Sequence, residues 1–183
     1  MSKKTAFPVR QLCITGLLIA LSVVVGILCK TLLTVAGWYR ITFENFPIIL
    51  AGYCFGPIYG MAAGIIADLV SCLCAGQSPI PFITVGAAAV GLCAGLAPML
   101  FRGKNRKAGK TALLLSELTA HLIGQVILKS VAKIIVMGMP WWGAFIGLGI
   151  SCAVAPLEFL LLLVLLRNPE IKKTLRGMVS YEL

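Results

Sequence analysis

From Phe46 through Ala75 the chain carries one charged side chain, Asp68. A run this long exceeds the ~20 residues that one membrane helix needs, and Gly56-Pro57, flanked by Gly52 and Gly60, interrupts it. The stretch therefore reads as two apolar helices, about 44–55 and 57–75, meeting at a tight turn. Pro57 suits the first turn of a helix because it has no N–H to satisfy, and Gly56 can leave the preceding helix with positive φ. Asp68 lies eleven residues beyond Pro57, so at ~1.5 Å per residue it sits ~16 Å up the return helix. That is the level at which the first helix begins, beside the polar group Arg40, Glu44 and Asn45.

The rest of the chain has to share this environment. Of its 183 residues 60% are hydrophobic and 12% charged, about half the charged fraction of a soluble domain. The net charge of +10 would fit a nucleic-acid partner only if it formed a basic folded face, and its distribution excludes that. Twelve of the sixteen Lys and Arg fall into three clusters: Lys3, Lys4 and Arg10; Arg102, Lys104, Arg106, Lys107 and Lys110; Arg167, Lys172, Lys173 and Arg176. Each cluster flanks apolar sequence, which is the positive-inside pattern of a membrane protein. The expectation is an all-α bundle of six transmembrane helices, about 11–30, 44–55, 57–75, 82–101, 111–138 and 142–166. It forms one domain over 1–183 with both termini cytoplasmic. Four spans between the first two basic clusters return the chain to the same side, which independently requires 44–75 to be two helices.

The seven cysteines lie in apolar runs without a C-x-x-C pair and read as small buried hydrophobes, with no metal site or cofactor expected. Gln11 to Cys29 is longer than the core of a cleavable signal peptide and reads as a retained first helix. Gly103 to Thr111 resembles a phosphate-binding loop, but G-x-x-x-x-x-G-K-T has one residue too many and follows no buried strand. The chain thus carries no nucleotide motor of its own, and uphill transport would need a separate ATPase.

Small residues four apart mark close helix packing: Gly60 and Gly64, Ala63 and Ala67, Gly91 and Gly95, Gly143 and Gly147. Gly16 and Ala20 on the first helix form a further stripe that could dock a partner helix. The fifth helix is the most polar, with Glu117, His121, Gln125, Lys129 and Lys133 at intervals of four. Successive members of such a series rotate by ~40°, giving a slowly winding stripe that should face protein or water, since mid-membrane charges are costly. For Glu117 and His121 the plainer reading is a polar cluster at the cytoplasmic end, and for Lys133 snorkelling to the headgroups. Trp38, Trp141 and Trp142 fall in outer loops, as an interfacial belt or as a lid. Arg40, Asn45, Asp68, Lys129 and the tryptophans would then line a cavity open to the outside, without a catalytic set, fit to capture a small polar solute. An intramembrane hydrolase would need paired aspartates, or a Ser and His at one depth. Asp68 is the only transmembrane Asp, and His121 falls in the opposite half.

The run Arg40-Ile41-Thr42-Phe43-Glu44-Asn45-Phe46-Pro47, followed by Ala51-Gly52, Phe55-Gly56-Pro57, Gly60, Gly64 and Asp68, resembles the substrate-binding S components of energy-coupling-factor vitamin transporters, most closely the folate-type members. The motif spans about thirty residues, and the size, six spans and basic loop extend the likeness to the whole chain. The resemblance implies a multi-pass protein of a prokaryotic plasma membrane that binds a vitamin from outside. It further implies association with a transmembrane coupling subunit and two ATPase subunits, with no enzymatic activity of its own. The family docks its coupling subunit on an A-x-x-x-A motif in the first helix; Gly16 and Ala20 match it in position, with Gly for the first Ala. For folate, Asp68 would accept the paired N–H donors of the pterin, and Arg40, Lys129 or Lys133 would meet the glutamate carboxylates. Asp68 could instead be a structural partner of Arg40 or Lys129. Pantothenate, hydroxymethylpyrimidine or riboflavin could replace folate, because the hairpin motif is shared across such subunits.

Overall fold

The structure is a computed structural model that describes residues 9–32, 34–35, 39–41, 43–76, 78–100, 109–169 and 171; the side chains of 30, 31, 34, 35, 39, 40, 109, 110 and 137 fall outside the description. It is all-helical apart from a two-residue antiparallel ribbon. The helices are α1 (Val9–Leu32), α2 (Asn45–Phe55), α3 (Pro57–Cys74), α4 (Pro81–Leu100), α5 (Gly109–Thr119), α6 (Lys129–Met137) and α7 (Gly143–Arg167). A π-helical segment, Ala120–Leu128, joins α5 to α6 in one continuous rod. The ribbon pairs β1 (Thr34–Val35) with β2 (Tyr39–Arg40), Thr34 opposite Arg40 and Val35 opposite Tyr39. Five helical stretches among the described residues are long and apolar enough to cross a membrane, and α2 is a shorter apolar helix.

α2 is the centre of the bundle. Ten of its eleven residues are buried, and its hydrophobicity is spread around the whole helix, the mark of a helix packed on all sides. At ~1.5 Å per residue it is ~16 Å long, about half the ~30 Å of a bilayer core. Gly56, where α2 turns into α3, is buried, so its backbone polar groups need protein partners. Gly56, at φ 101°, donates its N–H to Gly52 O at 2.9 Å, and its own carbonyl accepts from Gly60 N–H at 3.1 Å. Pro57 opens α3 with no N–H to satisfy.

The small-residue pairs of α3 and α4 pack against one another. A Cβ placed on Gly91 would collide with the backbone of Gly60, one on Gly64 with the backbone of Ala87, and one on Gly95 with Pro57 at the hairpin turn. On the other side of α4, a Cβ at Gly124 would strike Val90. α4 is thus gripped between the α2–α3 hairpin and the long rod, and the core of Ile49, Tyr53, Cys54, Val90, Ala94, Ala120 and Leu162 forms around it.

α1 presents two unlike faces. Thr15, Ser22, Val23, Gly26 and Cys29 are turned into the bundle, while Gly16, Ala20, Val24 and Leu28 are exposed, and nothing lies within 4 Å of a Cβ at Gly16. The expectation for the cysteines needs correcting. Cys29 and Cys54 are buried, but Cys13, Cys74 and Cys152 are on the outer surface of the bundle. A thiol faces lipid as readily as it faces a helix, because it behaves as a small hydrophobe.

Candidate functional site

The polar side chains expected to converge at one level of the hairpin do so in part. A narrow cleft is walled by Ser22 from α1, Glu44 and Ile48 at the start of α2, Ala67, Asp68 and Ser71 from α3, Ala87 from α4 and Lys129 from α6. Glu44 immediately precedes α2, and Asp68 stands the same number of residues past the turn, so the two carboxylates come to one height. Ser22 Oγ donates to the Glu44 carbonyl at 2.6 Å and ties α1 to the head of α2.

Each charged group has a structural reason for its place. Lys129 Nζ lies 3.6 Å from Glu44 Oε1, with the lysine nearly buried and the glutamate about one-fifth exposed. The lysine stem passes α4 where Gly86 leaves room: a Cβ there would come within 2.7 Å of Lys129 Cγ. Gly26 does the same for the glutamate, since a Cβ on it would meet Glu44 Oε2 at 2.9 Å and Ser71 Oγ at 3.4 Å. Asp68 is half-buried, and its Oδ2 accepts a 2.7 Å hydrogen bond from Thr84 Oγ1 on α4. Lys129 therefore pairs with Glu44 and not with Asp68, and the two carboxylates are held by different partners. The enclosed volume is about 10 Å³, roughly what one water requires. An organic ligand fits only if the lining side chains move apart.

None of the other described residues singled out from the sequence walls this cleft. Asn45 is buried, and neither its Oδ1 nor its Nδ2 has a hydrogen-bond partner. Lys133 is half-buried one turn above Lys129 on α6. Trp141 and Trp142 are exposed just before α7, Trp141 packing edge-to-face on Phe145 at 6.2 Å. Trp38 and the side chain of Arg40 lie outside the described residues. Ser22, Ser71 and Thr84 were not singled out as site residues. Thr84 had a signal, as the one polar residue in an otherwise apolar helix; Ser22 and Ser71 had none that separates them from packing serines.

The polar series on the fifth span divides between two places. Lys129 reaches the cleft, whereas Glu117 and His121 turn to α7 and meet Glu158, all three buried. Glu117 and Lys129 stand twelve residues apart along the rod, so they lie at different depths and meet different neighbours.

A multi-helix bundle with five stretches long and apolar enough to cross a membrane, and with acids and a base gathered in one cleft, has the make-up of a multi-pass membrane protein. Comparison with known proteins then fixes the family. The model of the ECF transporter substrate-specific component matches residues 10–175. Among solved structures the fold is similar to a chain described as "Crystal structure of FolT bound with folic acid", at 20% identity and a TM-score of 0.63, covering 88% of this chain and 91% of that one. No match is found among curated protein sequences. The chain belongs to the substrate-specific component family of ECF transporters.

Proposed function

We propose that this chain is the vitamin-binding subunit of an ATP-driven uptake transporter and that its vitamin is a folate. It sits as one membrane domain with six spans and cytoplasmic termini in a prokaryotic plasma membrane. It captures substrate from outside and hands it on through a separate coupling subunit and two ATPase subunits. The observation that carries this reading is the cleft itself: two carboxylates, Glu44 and Asp68, face one ammonium, Lys129, within a bundle of the family's fold. The folate-bound neighbour supports the choice of vitamin.

The chemistry of folate matches the charges in pairs. A pterin offers an amino group beside a ring N–H, two donors that the Asp68 carboxylate accepts together while Thr84 holds its Oδ2 in place. The glutamate end of folate takes over Lys129 from Glu44, with Lys133 and Arg40 as further cations toward the mouth. Asn45 supplies an unpaired amide, and Trp38, Trp141 and Trp142 supply rings for stacking. Opening the cleft exchanges the Lys129–Glu44 pair for a Lys129–ligand pair and releases Glu44, already about one-fifth exposed, to solvent. The open face of α1 at Gly16 and Ala20 is the surface for the coupling subunit.

Native mass spectrometry of the purified chain, followed by titration with folic acid, pantothenate, riboflavin and hydroxymethylpyrimidine, tests the reading. One folate per chain is expected. Saturable binding of another of these vitamins keeps the transport role and replaces the substrate; binding of none, by folded protein, rejects both.

A further inference from the structure

Away from the cleft, α5, the π-helical segment and α7 bring together three ionisable side chains with no part in vitamin capture. Glu117, His121 and Glu158 are 1%, 5% and 0% exposed. His121 Nε2 is 2.7 Å from Glu158 Oε2 and 3.1 Å from Glu117 Oε1, and one donor atom from each residue lies within 4.8 Å of the others. Beyond these contacts, Glu117 Oε2, Glu158 Oε1 and His121 Nδ1 have no hydrogen-bond partner.

Two carboxylates and one imidazolium leave a net negative charge in a buried site, where a further shared proton would settle the charge but leave the free lone pairs without partners. A dication would meet both needs. With neutral imidazole the charges sum to zero, and the lone pairs turned inward become ligands. The two measured sides are close to what a metal needs: donors ~2.0–2.2 Å from a tetrahedral Zn²⁺ stand about 3.3–3.6 Å apart, against 2.7 and 3.1 Å here. One nitrogen and two carboxylate oxygens select a transition-metal ion over Mg²⁺ or Ca²⁺, which prefer all-oxygen shells. Binding through Nε2 leaves Nδ1–H as a donor, and Gln125 Oε1, four residues along the same rod, is a buried acceptor without one.

We propose that Glu117, His121 and Glu158 form a three-ligand site for a divalent transition-metal ion of the Zn²⁺ type, which ties α7 to the fifth span. The site is separate from the vitamin cleft, so it stands or falls independently of the substrate. Full-length protein purified in detergent, stripped with a chelator and titrated with Co²⁺ reads it directly. One Co²⁺ per chain is expected, with the visible spectrum of nitrogen and oxygen donors, displaced by Zn²⁺ and weakened at least about tenfold by Glu158→Gln or Glu117→Gln. Absence of saturable binding, or affinity unchanged in folded variants, overturns the assignment and leaves a proton-sharing cluster. If either variant fails to fold, X-ray absorption of the Zn²⁺-loaded wild type decides. One imidazole with oxygen neighbours supports the site; sulfur neighbours place the metal on the cysteines and reject it.

Discussion

Gly91→Ala and Gly16→Ala are the same chemical change on two transmembrane helices, and the structure gives them opposite outcomes. A methyl on Gly91 runs into the carbonyl group of Gly60 and comes within 2.9 Å of Met61 N, all backbone atoms that no rotamer change can move aside. α3 and α4 must part by roughly an ångström, which loosens the contacts of Gly52, Gly64 and Gly95 along the same seam. Overpacking of this kind costs about 1–3 kcal/mol, and the upper end applies where the obstacle is backbone. Replacing Gly by Ala in a helix returns up to ~1 kcal/mol. The net for Gly91→Ala is thus a loss of about 1–2 kcal/mol. Gly16→Ala meets nothing within 4 Å and keeps only the helix gain, so it should be neutral or slightly stabilising. Thermal unfolding in detergent, followed by the monodisperse fraction on size exclusion, measures both. If Gly91→Ala is as stable as Gly16→Ala, the close α3–α4 seam is wrong.

Three further outcomes bear on the cleft and the docking face. Thr84→Val removes the 2.7 Å hydrogen bond to Asp68, but the carboxylate is half-exposed and water can substitute, so ligand affinity should fall only by about 0.5–1.5 kcal/mol in isothermal titration; unchanged affinity would show that Thr84 does not orient the acid. Lys129→Met leaves Glu44 without its partner at 3.6 Å, at a burial between the exposed and buried limits, so a stability loss of about 1–3 kcal/mol and weaker binding of acidic ligands are expected in the same assays. A Lys129→Met variant that binds as wild type removes that cation from the site. Ala20→Trp fills the open face of α1 and should abolish pull-down of a coupling subunit while leaving ligand affinity intact; retained pull-down would move the docking surface elsewhere.

Much of the architecture was legible because in lipid the constraints are local. Apolar length, Gly56-Pro57 and the basic clusters place each predicted helix within about two residues of an observed one, since every span must close its own backbone hydrogen bonds. The level of Asp68 opposite the head of α2 followed from counting residues at helical rise. Side-chain partners were not legible in that way. Periodicity puts Glu117, His121 and Lys129 on one winding stripe, but it does not say which side chain of another helix stands opposite each: two meet Glu158 and one meets Glu44. Gly26 and Gly86 likewise looked like packing glycines, and only the fold reveals that they make room for Glu44 and Lys129. The ribbon of β1 and β2 was read as plain loop, because two residues per strand carry no alternation.

On the proposed function, the cleft holds a folate through the Asp68 carboxylate. Isothermal titration of folic acid into wild-type protein and the Asp68→Asn variant tests it most directly, because the change exchanges one carboxylate oxygen for an amide donor at nearly constant volume. Wild type should bind one folate per chain, and Asp68→Asn, with an unaltered elution profile, should bind more weakly by about 1.5–3 kcal/mol, or roughly 10- to 150-fold, the scale of a charge-assisted hydrogen bond. Equal affinity in the two folded proteins would contradict the assignment of Asp68, and no folate binding by either would contradict the vitamin.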